Sequence, residues 1–242
     1  RAAEGFRPEV RFSGFAMESL ARERAGVVCD AAGITFENLT LTLAMSSESP
    51  EPAAKLFLLR GGSQLALLRC RVGIEGVAGS LVESTRPRCI EVLATAAAAD
   101  TNSEPDRETP APSAGEPAEA SSTRIDLIDT VVRGDMNFLE VAGERRVDLN
   151  WSGGSLATNG RGLVVEGAAR DVENGTLLAA TLRQGIFACR AGFVCLLDSP
   201  ARPTEPRLEV TATGCRFLTP EGVPLIEQSG IEDPEVYRGR VR

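Results

Sequence analysis

Histidine is absent from this 242-residue chain. Its absence removes Ser-His-Asp and Cys-His nucleophilic centres, imidazole acid–base chemistry and nearly all ordinary catalytic zinc sites. Aromatic side chains are scarce, with nine Phe, one Trp and one Tyr. Val, Leu, Ile and Ala must therefore fill most of the core, which suits thin stacked layers better than a thick two-layer core. Lys55 is the single lysine, and the remaining cations are scattered arginines. With a formal net charge of −8 and no basic cluster, the chain lacks the positive face that nucleic-acid binding requires. No run approaches the roughly 18 apolar residues of a membrane span. No signal peptide opens the sequence and its first residue is Arg, so it is expected to be a segment of a longer polypeptide, and missing targeting signals say nothing about location.

What is present is a two-part phrase that recurs along the chain. An alternating apolar strand comes first, as in Ile34-Thr-Phe36-Glu-Asn38-Leu39-Thr-Leu41, Leu65-Ala-Leu67-Leu-Arg69-Cys70-Arg-Val72 and Ile125-Asp-Leu127-Ile-Asp129-Thr130-Val-Val132. It returns as Val147-Asp-Leu149-Asn-Trp151-Ser152 and as Leu208-Glu-Val210 leading to Gly214-Cys215-Arg-Phe217. After a turn comes a short continuous apolar run: Leu56–Leu59, Cys89–Val92, Phe138–Val141, Leu163–Val165, Phe193–Leu196 and Val223–Ile226. A repeated phrase of this kind predicts a stack of similar coils, each burying its apolar edge against its neighbours. The last three coils align when Val147, Leu177 and Leu208 are paired with Val164, Val194 and Leu225. Glycines at 33, 62, 134, 153, 154, 185 and 214 fit corners of positive φ. Glu18–Arg24 is the one stretch with a helical pattern.

The segment 95–123 is rich in Ala, Pro, Glu and Ser and has no large apolar residue. It is expected to be a disordered insertion within a single domain spanning 1–242, because it cannot bury enough surface to offset its ordering entropy. The six cysteines, at 29, 70, 89, 189, 195 and 215, form no C-x-x-C pair. They read as small buried residues stacked between coils, with Cys70 and Cys215 at one position of the strand motif. An antiparallel β-sandwich is the competing fold. The two differ in one observable: the stacked reading puts Ile125, Val147 and Leu208 in one sheet with their strands running the same way.

The phrases Ile34-x-Phe36-x-Asn38-Leu39-x-Leu41 and Leu65-x-Leu67-x-Arg69-Cys70-x-Val72 resemble the strand-and-bend consensus of right-handed parallel β-helices, the pectin-lyase-like superfamily. Two inward apolar residues lead into a bend, often Asn, and two more inward positions follow. The resemblance implies an all-β fold, a right-handed parallel β-helix of about seven coils. Asn38 and Asp129 match the bend position; Arg69, Trp151 and Gly214 stand there instead of Asn in other repeats. The chain is also similar to β-helical regions appended to large bacterial serine/threonine kinase proteins, although no kinase motif is present. That similarity implies an appended non-kinase region of a larger bacterial protein, with flanking domains of the same chain or another protein as partners; its location stays unknown, leaning extracytoplasmic.

Active members of the superfamily cleave acidic polysaccharides. Their N-T-D, D-D, G-H-G and R-x-P-x-x-R patterns are absent here, although Arg86-Pro87 and Arg202-Pro203 superficially resemble the last. No catalytic residue, metal or cofactor is therefore assigned. Asp126, Asp129, Asp135 and Glu140 are spaced too widely for a calcium loop and read as surface carboxylates. The candidate ligand-binding residues are Arg124, Asp126, Arg146 and Asp148. The repeated Arg-Ile-Asp-Leu and Arg-Val-Asp-Leu turn these side chains outward on neighbouring coils, where they are expected to form a cross-strand charge lattice. As a bland face it solubilises; as a functional one it binds polysaccharide. The leading expectation is a non-catalytic scaffold or interaction region, the alternative a polysaccharide-binding or polysaccharide-degrading domain.

Overall fold

The computed structural model describes residues 7–13, 24–45, 54–76, 86–93, 122–142, 146–166, 178–197 and 208–229. These residues are all-β. The strands are β1 (Glu9–Ser13), β2 (Ala25–Asp30), β3 (Gly33–Glu37), β4 (Thr40–Ala44), β5 (Lys55–Arg60) and β6 (Gln64–Leu68). Then come β7 (Arg71–Glu75), β8 (Arg88–Leu93), β9 (Thr123–Gly134), β10 (Asn137–Ala142), β11 (Val147–Thr158) and β12 (Leu163–Glu166). The last are β13 (Leu178–Arg183), β14 (Ile186–Cys189), β15 (Val194–Leu197), β16 (Leu208–Thr213), β17 (Arg216–Leu218) and β18 (Ile226–Ser229).

Two sheets contain all of them. One runs β2-β5-β8-β10-β12-β15-β18, and the other carries the remaining strands. Every pairing among the described strands is parallel, including β9 with β11, β11 with β13 and β13 with β16. The sandwich alternative, which needs antiparallel neighbours, is overturned. Parallel neighbours cannot be joined by tight hairpins. The chain instead leaves the first sheet, crosses to the second and returns one strand further along.

The larger sheet is creased. β9 and β11 each bend in mid-strand, at Asp129 and Gly153, dividing the sheet into a first column (β3, β6, β9, β11, β13, β16) and a second (β1, β4, β7, β9, β11, β14, β17). At the crease the registers align Asn38, Arg69, Asp129, Gly153, Gln184 and Gly214, and all six have positive φ, from 48° to 73°. Glycine and Asn or Asp tolerate this conformation; Arg69 and Gln184 hold it against their own preference. Gly154, next in the chain, is irreplaceable for a second reason. At its φ of +83° a Cβ would stand 2.1 Å from the Thr130 carbonyl oxygen.

Residues immediately after the crease turn small donors back on the stack. The Thr130 hydroxyl donates to the carbonyl of Leu67 at 2.8 Å, and the Cys70 thiol to that of Phe36 at 3.4 Å. Phe36 and Leu67 are register partners, so the two bonds are equivalent, one rung apart. Cys215 occupies the same slot, which accounts for its match to Cys70. Cys29, Cys70, Cys89, Cys189 and Cys195 are buried and Cys215 is half-buried, and none of the six is in a disulfide.

Facing side chains from both sheets share one apolar core. Rows run straight through it: Ile34, Leu65, Ile125, Leu149, Ala180 and Val210 in the first column, and Phe57, Ile90, Leu139, Leu163 and Val194 in the second sheet. The two halves of the sequence phrase now have a physical cause. The first column meets solvent on its outer face and so alternates. In the second sheet the outward-facing Leu58, Val164 and Cys195 are themselves buried, so its strands read as continuous apolar runs.

Several expectations are corrected. Val147 pairs with Thr123 and Trp151 with Leu127, so Gly153, not Trp151, takes the bend and the fifth repeat is shifted by two residues. Leu178, not Leu177, stands opposite Val147, and Ile226, not Leu225, opposite Val194. Gly62, Gly134, Gly153, Gly154 and Gly214 have positive φ; Gly33 and Gly185 do not. Thr123 is a buried strand residue rather than the end of an insertion. The rest of the segment 95–123, except Ser122, lies outside the described residues, as does the helical pattern at 18–24 except Arg24.

Candidate functional site

Arg124 and Asp126 lie on the outer face of β9, Asp148 on that of β11, and Arg146 just before β11. Arg124 Nε is 2.7 Å from Asp126 Oδ2, and Arg146 Nε is 3.0 Å from Asp148 Oδ1. Asn150 Nδ2 donates to Asp126 Oδ1 at 3.0 Å, tying the two strands together. The structure thus brings the four predicted residues together, in a register different from the motif-to-motif one. Matching the two repeats motif to motif, Ile125 with Val147, would set Arg124 beside Arg146 and Asp126 beside Asp148, like charge against like. The observed register places Arg124 opposite Asp148 and Asp126 opposite Asn150, which removes both repulsions. The Arg124 guanidinium is held above its usual range, first by the hydrogen bond it donates to Asp126, then by the charges of Asp126 and Asp148. Both arginines are more than half exposed, so the ladder is a solvated surface feature.

The four widely spaced carboxylates are not gathered. Asp126 is on the first column, Asp129 at the crease, Asp135 in the turn after β9 and Glu140 on the second sheet. Among the described residues no group of three His, Cys, Asp or Glu side chains is placed to hold a metal ion. No helix among them is long and apolar enough to cross a membrane.

A second charged cluster was missed. On the outer face of the second sheet, Glu91 and Glu140 are direct register partners, an unfavourable pair on its own. Arg88 bridges them, with Nη1 2.5 Å from Glu91 Oε1 and Nε 2.6 Å from Glu140 Oε2. Lys55 from β5 makes a close ion pair with Glu91 on the other side. Two cations and two carboxylates balance, and three of the four side chains are less than 15% exposed. The signal was available: an acidic residue sits at the same point of two apolar runs, Cys89–Val92 and Phe138–Val141, and the only lysine opens a third. Desolvation pushes the Glu140 carboxyl above its ordinary range, against the opposing charge and hydrogen bond of Arg88, with Glu91 and Glu166 adding to the rise.

That shift has a measurable sign. The folded chain holds the Glu140 proton more tightly than the unfolded chain, so this group's contribution is most favourable at low pH. It diminishes as pH climbs upward from the ordinary carboxylate value. Glu140→Gln is expected to flatten that decline, seen as a smaller fall in Tm across the weakly acidic range.

A shallow open groove of about 410 Å³ lies where the second column ends, over Gly134, Ala157 and Ala188, edged by Asp135, Asn159 and Arg190 and by Leu218 and Pro220. Its floor is small because Ala157 and Ala188 are register partners facing outward. Arg86 Nη1 holds Asp135 at 2.5 Å. The Thr158 hydroxyl is engaged by Met136 O and Gly160 N. Burial pushes the Cys189 thiol up to about 12, which leaves it without the thiolate a nucleophile needs. The groove therefore offers shape and two exposed polar edges, Asn159 and Arg190, and no activated group. No known family model, curated protein or solved structure matches this chain.

Proposed function

We propose that this chain is a non-catalytic scaffold or interaction region of a larger bacterial protein, its strands wound as a right-handed parallel β-helix of about seven coils. The winding is supported by the strand order, in which each crossover returns the chain one rung further along the same sheets. A parallel strand–crossover–strand unit is right-handed in nearly all proteins. The scaffold reading is carried by one observation: the predicted charged residues of the first column and the four-residue cluster of the second sheet are engaged among themselves. The predicted residues Arg124, Asp126, Arg146 and Asp148 form internal pairs, and Lys55, Arg88, Glu91 and Glu140 balance within a nearly dry cluster. Such faces stabilise register and leave partner contacts to flanking domains.

Polysaccharide binding is the second reading, and the groove edged by Asn159 and Arg190 favours it. Titrating the chain with uronic-acid oligosaccharides by calorimetry separates the two. The scaffold reading expects no heat of binding. Micromolar affinity that disappears in Arg190→Ala, or in Asp126→Ala or Arg146→Ala, would replace it with the carbohydrate reading.

A further inference from the structure

In the middle of the stack the inward-facing side chains are fully buried; at the two ends several are not, although Ala25 and Cys29 on β2 are buried. Every described residue from 208 to 229 is at least partly exposed, including the inward-facing Val210, Phe217 and Ile226. At the opposite end, inward-facing Val10 is 38% exposed and Val27 and Ile34 are half-buried. Each end also presents a row of strand N–H and C=O groups with no neighbour among the described strands, and such an edge is a template for another strand.

The two ends complement each other. In the second column one outward row reads Glu9, Thr40, Arg71, Val131, Ser155, Ile186 and Arg216. It begins on an acid and ends on a base. If the row continues into another molecule in the same register, Arg216 meets Glu9 and the inward Phe217 meets Val10. In the second sheet, Ile226 meets Val27 and Glu227 meets Val28. Two identical ends can meet only about a two-fold axis, with their strands antiparallel, which breaks the parallel order of both sheets. Strand direction and the match of Arg216 to Glu9 therefore favour unlike ends. In the first column the described strands begin one rung later, at β3, so the contact runs through the second column and the second sheet.

We propose that the chain associates end to end with a second copy of itself, β17 and β18 of one molecule pairing in parallel with β1 and β2 of the next. This contact is heterologous and does not close on itself, so it generates an open series of oligomers. The inference rests on the coil-by-coil winding proposed above.

Sedimentation velocity of the full 242-residue chain over a wide concentration range tests it. The expected result is a weight-average mass that rises continuously with concentration. Arg216→Glu replaces an attraction by a repulsion and is expected to weaken association roughly tenfold. Glu9→Arg combined with Arg216→Glu restores it. Both residues are exposed, so the fold should tolerate the changes, and Val28 supplies a second reading that leaves them untouched. Facing Glu227 of the next copy, Val28→Lys should tighten the assembly and Val28→Glu loosen it. A chain that stays monomeric, a dimer that stops growing, or a charge swap that fails to restore association overturns the proposal. A monomer that binds no oligosaccharide leaves the scaffold reading standing; an end-to-end assembly that binds uronates through Arg190 overturns that reading alone.

Discussion

Glu91→Ala is expected to destabilise the fold by about 3 to 5 kcal/mol, the usual penalty for leaving a buried charge without its partner. Glu91 is 6% exposed and lies between Lys55 and Arg88, which are 13% and 22% exposed. Removing its carboxylate leaves two cations sharing only Glu140, in surroundings where Leu58 and Val164 are buried on the same face. The loss should not scale with the number of ion pairs broken. Lys55→Met with Glu91→Leu removes one charge of each sign, leaves the Arg88–Glu140 pair neutral and extends the apolar row. That double variant is expected to match the parent or exceed it, because hydrophobic replacement of a buried pair is often neutral or stabilising. Urea denaturation of the single and double variants checks both statements. A double variant as weak as Glu91→Ala would mean that the cluster contributes through its charges rather than by specifying which strand lies beside which.

Much of the architecture was legible because inward residues repeat at strand spacing, and repetition survives changes of side chain. The register was not legible at the fifth repeat, and the reason is general. Moving a strand by two residues keeps every side chain on its own face, so Val147, Leu149 and Trp151 remain inward whichever alignment is chosen. Alternation resists a slip of one and is blind to a slip of two. Two other features carried the answer. Gly153 is the natural occupant of a crease where φ is positive, and opposing charges prefer Arg124 beside Asp148. Glycine corners were over-assigned for a related reason: at Gly33 and Gly185 the residue is small where the backbone is ordinary. Gly185 carries a crowding reason instead, since a Cβ there would lie 2.7 Å from the Phe187 ring.

The candidate ladder was legible in composition and faced the predicted way, since Arg and Asp at alternate positions must point outward when their neighbours point in. The Lys55–Arg88–Glu91–Glu140 cluster was not, because its members are far apart in the chain and meet only through the pairing of β5, β8 and β10. A charged residue inside an apolar run has no meaning until the strand beside it is known. The groove is similarly a product of strand pairing: Gly134, Ala157 and Ala188 come from β9, β11 and β14, and none is informative alone.

Trp151→Ala is expected to cost about 3 to 5 kcal/mol, the range for truncating a large core aromatic. The side chain is 1% exposed and spans the interior from the larger sheet to the second. Its ring centroid is 4.9 Å from that of Phe138 on β10 and 5.1 Å, edge-on, from that of Phe187 on β14. The indole Nε1 donates to the carbonyl of Gly153 at the crease, 2.6 Å away, so truncation leaves that carbonyl without this donor as well as opening a cavity. Phe187 in turn stacks on Phe217 of β17, at 5.3 Å, which makes Trp151 the point where the aromatic chain of the last strands joins the aliphatic rows before it. In a stack whose members touch only their neighbours, damage at one rung uncouples what lies on either side. The variant should therefore unfold in two steps where the parent unfolds in one, the strands beyond β11 melting first and those from β3 to β10 later. Circular dichroism during thermal and urea unfolding records both steps without needing the lost fluorophore. Trp151→Phe, which retains ring contacts and loses the indole N–H, should be milder and keep a single transition. A single transition in Trp151→Ala, with its midpoint near that of the parent, would mean that the two sheets are joined through other rows and that this residue is only filling space.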